Sequence, residues 1–257
     1  MKEESKRKNW FFSVNGRPIL PREKGAGFIV FDGLDGSGKS TQLNLLISHL
    51  RKENYPVAFF DFPQHGERSA ALVDDYLNGK YGSAFEVGPW RASIFFACDR
   101  YDASFKIREW LTEGKIVVCD RYVGSNIGHQ GGEIKNNDER KKYISWLLDL
   151  EYDIFGIPKP DLNFILKVTP EIAVELSDSG KIKSQQKLFK RQSYLGGKPK
   201  DMLESDINHQ KNALDSYLWA AKTYPGLFTV IECVESERLL PPEIIHDKIW
   251  QEVKKIL

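Results

Sequence analysis

The sequence predicts an α/β domain of three layers, a five-stranded parallel sheet with helices on both faces. Three observations predict it. Short apolar runs rich in β-formers recur at 28–31, 57–60, 115–119, 162–168 and 227–231. The stretches between them carry apolar residues at helical spacing. Strand and helix then alternate along the chain, as parallel strands joined by helical crossovers require. At 257 residues, one large domain or two small ones can be formed.

The leader comes first. Lys2, Lys6, Arg7 and Lys8 precede only Trp10-Phe11-Phe12, too short an apolar run for a signal peptide, and Glu3 and Glu4 are foreign to a transit peptide. Asn15-Gly16 between two apolar stretches predicts a small hairpin. Residues 1–26 therefore read as an N-terminal extension and 27–257 as the domain. Phe28-Ile29-Val30-Phe31 is a buried strand. Leu43, Leu45, Leu46 and Leu50 make 38–52 a helix, and 57–60 is the second strand. Residues 69–77 follow as a helix. A long helix runs over 90–111, with Pro89 suited to its first turn and Gly114 to its close. Ile116-Val117-Val118 centres the third strand, and 138–154 is helical. After the fourth strand Pro170 opens a helix; 206–222 is helical, and 242–256 is the final helix. Residues 181–200 break the rhythm with seven basic residues, no acid and a Gly-Gly. This reads as a mobile lid spanning about 181–205.

Composition excludes several classes. With 37 basic against 36 acidic residues, net +1, a basic nucleic-acid coat is not expected. No run reaches the roughly 18 apolar residues of a membrane helix. Three cysteines, Cys98, Cys119 and Cys233, are too few for a disulfide framework and fit a reducing, cytosol-like compartment. Cys98 and Cys119 stand in apolar stretches and read as small buried hydrophobes.

The chemistry concentrates in four segments. Gly33-Leu34-Asp35-Gly36-Ser37-Gly38-Lys39-Ser40 matches G-x-x-x-x-G-K-[ST] between a strand and a helix. Glycines let successive backbone N–H groups turn onto phosphate oxygens, and the next helix adds its positive end. Lys39 reaches the β and γ phosphates, and Ser40 is placed to ligate Mg²⁺. Asp120-Arg121-Tyr122 closes the third strand, where ligands bind in such sheets. The acid can help hold Mg²⁺ and the arginine can take a phosphate bidentately. Phe96 and Arg100 lie four apart on one helix face, an aromatic plane beside a guanidinium that suits a flat polar base. Asn126, near Ser125, His129 and Gln130, offers the donor and acceptor of a pyrimidine edge; alone it would read as a loop-capping asparagine.

Together these segments resemble the thymidylate kinase family, over about residues 27–256. FIVFDGLDGSGKSTQ looks like its phosphate loop, DFPQ its second-strand signature, FFACDR its base-binding helix and CDRYVGSNIGHQG its Asp-Arg-Tyr segment. The resemblance implies a P-loop nucleoside monophosphate kinase, usually homodimeric and cytoplasmic, that transfers the ATP γ-phosphoryl group to dTMP with Mg²⁺. ATP would lie on Gly33, Asp35, Gly36, Ser37, Gly38, Lys39, Ser40 and Thr41. Asp35 would accept from the sugar 3′-hydroxyl, and Phe62 would line the cleft. Phe96 would stack on thymine while Arg100 and Asn126 bond its polar edge, with Ser125, His129 and Gln130 beside them. Arg121 would hold the acceptor phosphate, and Ser40 and Asp120 the metal. The loop lacks the basic residue of some members, so the lid would supply a cation from Lys187, Lys190 or Arg191; Arg191 stands for them among the catalytic residues.

Two positions depart from the pattern. Asp61 stands where many members carry a basic residue near the acceptor phosphate. His129 stands where a tyrosine commonly crowds the sugar 2′ position. A kinase of another nucleoside monophosphate or nucleoside, and a nucleotide-binding protein without turnover, are the alternatives.

Overall fold

A computed structural model describes residues 11–12, 18–19, 25–178 and 207–257. Strands β1 (Phe11–Phe12) and β2 (Pro18–Ile19) pair antiparallel, with Phe11 opposite Ile19. This is the pairing that Asn15-Gly16 predicts, although the turn itself lies outside the described residues. So do the lid and its candidates Lys187, Lys190 and Arg191.

The main sheet contains β3 (Gly27–Gly33), β4 (Val57–Asp61), β5 (Ile116–Asp120), β6 (Leu162–Lys167) and β7 (Thr229–Glu232). Their order is β4-β5-β3-β6-β7, every pair parallel. Every residue of β3 and β5 is buried, whereas edge strand β4 is partly open. Strands covered on both faces read as continuous apolar runs, which is why the sequence shows them so plainly.

Side-chain alternation divides the core in two. Ile29, Phe31, Val118, Phe164 and Leu166 face one side, with α1 (Lys39–Lys52) and the last helix, α9 (Pro242–Val253). Phe28, Val30, Val117 and Cys119 face the other. There they meet α4 (Pro89–Thr112), α5 (Val123–Glu133) and α6 (Asn137–Leu148). The shorter helices α2 (Ala71–Leu77), α3 (Ala84–Val87) and α7 (Pro170–Asp178), and the long α8 (Ile207–Thr223), complete the layers. Pro89 opens α4 and Gly114, at φ 78°, follows its end, as predicted. Helix α6 continues into a π-helical turn over Asp149–Ile154.

Two features were not legible in the sequence. Cys98 is exposed, contrary to the reading above. Its apolar neighbours Phe95, Phe96 and Ala97 are adjacent in sequence, but around a helix successive residues face different ways. Helix α5 was missed because Gly124, Gly128, Gly131 and Gly132 disfavour a helix. Packing explains them. A Cβ on Gly128 would lie 2.2 Å from the Tyr217 ring, and one on Gly132 would lie 2.7 Å from the Asn212 backbone. Helices α5 and α8 thus approach backbone to backbone, and only glycine fits between them.

We expect Gly132→Ala to cost about 1–3 kcal/mol, since overpacking forces the backbones apart. Urea unfolding checks this; a wild-type midpoint would show that α8 can shift without cost.

Candidate active site

The site lies at the carboxyl ends of β3, β4 and β5. The phosphate loop leaves β3 and enters α1. Gly36 and Gly38 sit at φ 82° and 86°, conformations that side chains resist. A Cβ on Gly36 would come within 2.0 Å of the Ala173 carbonyl oxygen on α7. The loop is therefore a close-fitting cradle whose shape belongs to its backbone. Lys39 is buried and its Nζ donates to the carbonyls of Leu34 (2.7 Å) and Gly33 (3.1 Å). Ser37 Oγ is buried and, among the described residues, has no partner. Ser40 and Thr41 occupy the first turn of α1.

Arg121 joins this loop to α5. It follows β5 at φ 67°. Its Nη2 donates to Asp35 of the phosphate loop. Its Nη1 lies 3.2 Å from Ser125 Oγ, 3.2 Å from His129 Nε2 and 3.4 Å from the Gly33 carbonyl. Behind Ser125 stands buried Asp32, which accepts from Ser125 Oγ (2.6 Å) and from the Tyr122 backbone N–H (3.4 Å). Burial pushes the Asp32 carboxyl up from its ordinary pKa. Burial acts on Asp35 the same way, but the Arg121 and Lys39 charges outweigh it and hold Asp35 well below the usual carboxylate range. His129 is 8% exposed. Burial first, then the Arg121 charge, drives its pKa well below the ordinary value, so the ring is neutral.

A second network lies beneath it. Arg100 is 2% exposed and forks onto Glu151, with Nε donating to Oε2 at 2.7 Å and Nη2 to Oε1. The same Nη2 reaches Asn126 Oδ1 at 2.5 Å. Asn126 Nδ2 donates to Ser93 Oγ (3.2 Å) and Gln130 Oε1 (2.9 Å). Arg100, Asn126 and Gln130 are thus brought together, with Asn126 inside a helix rather than capping a loop. Phe96, half-buried one turn before Arg100, meets Tyr76 edge-on at 6.1 Å. Phe62 is buried between Phe60 and Tyr122, at 5.2 and 5.7 Å. The segment after it is anchored by Asp99, which accepts from Gln64 N and Nε2 (both 2.9 Å) and Ser69 Oγ (2.7 Å).

Asp120 ends β5, in register with Asp61 of β4 and Phe31 of β3. Its carboxylate, with the Ser40 hydroxyl, is the hard-oxygen donor chemistry that Mg²⁺ takes. The register sets Asp61 beside this acid.

The thymidylate kinase family model matches residues 31–211. The chain belongs to the thymidylate kinase family. Over 172 residues it is 31% identical to the thymidylate kinase of Plasmodium falciparum, covering 65% of this chain and 76% of the relative. It is 26% identical to that of Thermomicrobium roseum over 231 residues, 90% of this chain and 95% of the relative. The solved thymidylate kinase of Candida albicans shares the fold, with a TM-score of 0.64 at 21% identity over 90% of this chain and 92% of that one. The family phosphorylates dTMP, and this chain is a phosphotransferase of that kind.

Sequence reasoning missed Glu151, Asp32, Ser93, Asp99 and His209. For two of them a signal existed. Glu151 lies seven residues after Ile144 and four after Leu147, on the apolar face of its helix. His209 lies four before Ala213 and eight before Tyr217, on the buried face of α8. A polar residue on an apolar helix face marks a partner across the core.

The neutral state of His129 has a stability consequence. Unfolded, it takes a proton below about pH 6.5. Folded, it does so only at much lower pH. The unfolded state then binds more protons, so stability falls as pH drops from about 6.5. In urea titrations from pH 7.5 to 5, any advantage of wild type over His129→Phe should shrink as pH falls. A difference independent of pH would contradict a neutral, buried His129.

Proposed function

We propose that this phosphotransferase passes the γ-phosphoryl group of ATP to dTMP, with the residues above in the roles the family resemblance implies. The observation that carries the proposal is Arg121. One guanidinium touches the phosphate loop at Gly33 and Asp35 and helix α5 at Ser125 and His129. A cation at that junction can serve an acceptor phosphate beside the donor. Arg121 exchanges Asp35 for that phosphate, and the released Asp35 carboxylate accepts from the sugar 3′-hydroxyl. Lys39 leaves the Gly33 and Leu34 carbonyls for the β and γ phosphates. Phe96 stacks on thymine while Arg100, braced by Glu151, and Asn126 face its polar edge. Ser40 and Asp120 would hold Mg²⁺, which when bound neutralises phosphate charge. A cation among Lys187, Lys190 and Arg191 completes the neutralisation. No general base is needed, because the acceptor phosphate is already ionised near pH 7. A kinase of a related nucleoside monophosphate is the second reading, favoured by the imidazole of His129 where a larger phenol would crowd the sugar.

We further propose a homodimer joined through the outer face of α4, in a reducing, cytoplasmic setting. Trp90, Ile94, Cys98, Tyr101 and Phe105 recur at helical spacing along that face. Trp90 and Ile94 are each 41% exposed and Phe105 is 60% exposed. An apolar stripe of this kind marks an interaction surface. Among the described residues no helix is long and apolar enough to cross a membrane, and the cysteines are unpaired.

Two measurements test these proposals. Lys39→Ala should keep the fold, which rests on loop backbone, and lose roughly 10²- to 10³-fold in turnover of dTMP; near-normal turnover would overturn the phosphate-loop assignment. Ile94→Glu should convert a sedimenting dimer to monomer, and an unchanged dimer would move the interface elsewhere.

A further inference from the structure

We propose that His209 is a positioning residue for phosphoryl transfer: it fixes the tautomer of His129 and, through it, the aim of Arg121. This rests on the reading that Arg121 holds the acceptor phosphate.

A guanidinium has donors only. Arg121 Nη1 lies 3.2 Å from His129 Nε2, so that nitrogen must accept and carries no hydrogen. A neutral imidazole then bears its hydrogen on Nδ1. His129 Nδ1 lies 3.2 Å from His209 Nε2. His209 therefore accepts, with its own ring hydrogen on Nδ1. The hydrogen bonds run one way, from Arg121 to His129 to His209. The other tautomer of His129 would set N–H against N–H at Arg121 and lone pair against lone pair at His209.

Packing keeps the pair in place. His209 is 9% exposed on the inner face of α8. The two imidazoles stack at 5.4 Å and 17°, and Tyr217 closes on His129 edge-on at 6.0 Å. The glycine contact between α5 and α8 fixes the distance between the two helices that carry the pair.

The arrangement matters because of what remains when substrate arrives. Four groups orient the Arg121 guanidinium: Asp35, Gly33, Ser125 and His129. Asp35 must release it to the acceptor phosphate. Of the side chains, Ser125 and His129 then remain, and each has a residue behind it. Asp32 accepts from Ser125, and His209 accepts from His129. His209 is to His129 what Asp32 is to Ser125. Without it, His129 can adopt the tautomer that turns Arg121 away.

The test compares His209→Phe, which keeps an aromatic ring but no acceptor, with His209→Gln, which returns an acceptor to the position of Nε2. His209→Phe should raise KM for dTMP roughly 3- to 30-fold, a size expected for neighbours in one hydrogen-bond network. KM for ATP should stay near wild type, and His209→Gln should recover most of the loss. In a His129→Phe background, His209→Phe should add little. Long-range ¹H–¹⁵N spectra should show the wild-type His129 hydrogen on Nδ1, and Nε2–H appearing in His209→Phe. A folded His209→Phe with unchanged KM for dTMP and unchanged His129 tautomer overturns the proposal. Should that variant not fold, a wild-type His129 protonated on Nε2 overturns it alone. If wild type does not phosphorylate dTMP, the functional reading fails, while the spectra still decide the pair.

Discussion

A half-buried guanidinium cannot shed its charge, so Arg121 has to be surrounded by acceptors, and the groups that supply them shape the site. They come from two directions. Gly33 ends β3 and Asp35 belongs to the loop after it, while Ser125 and His129 belong to the helix after β5. One cation therefore ties the segment that leaves β3 to the helix that follows β5. It also explains the depressed Asp35: that carboxylate is charged because Arg121 and Lys39 are beside it, against the cost of burial.

The same logic runs deeper at Arg100. Removing two charges from water is expensive, and breaking such a pair leaves one of them uncompensated. Glu151 answers Arg100 with both oxygens and is itself wholly buried. The pair spans from α4 to a π-helical turn, so the placement of Arg100 and of Asn126 beside it depends on a residue 51 positions away in sequence. Both arginine networks meet on α5, where Ser125, His129, Asn126 and Gln130 occupy one glycine-rich helix. The glycines that look unfavourable for a helix are what let α5 lie against α8 and Asp32 closely enough to present those side chains.

The strand and helix order and the phosphate loop were legible in the sequence. They follow from local rules: continuous apolar runs where both sheet faces are covered, helical spacing of leucines, and glycines where the backbone must take a positive φ. Asp35, Lys39, Arg100, Arg121 and Asn126 could be named because they stand in contiguous motifs with recognisable chemistry. The exposed face of Cys98 and the helix over Val123–Glu133 were not legible, since adjacency in sequence misstates which face a residue occupies and helix propensity ignores how closely a neighbour approaches.

The sequence by itself thus determined the fold class and the glycine-rich loop between β3 and α1, because each depends on neighbours within a few positions. Only the tertiary structure decided the pairings: Arg121 with Asp35 and His129, Arg100 with Glu151, Ser125 with Asp32, and His129 with His209. Those partners lie from 8 to 93 residues apart. Nearly all come from different strands and helices, and a buried polar group takes whichever complementary atom the packing of those elements sets within about 3 Å.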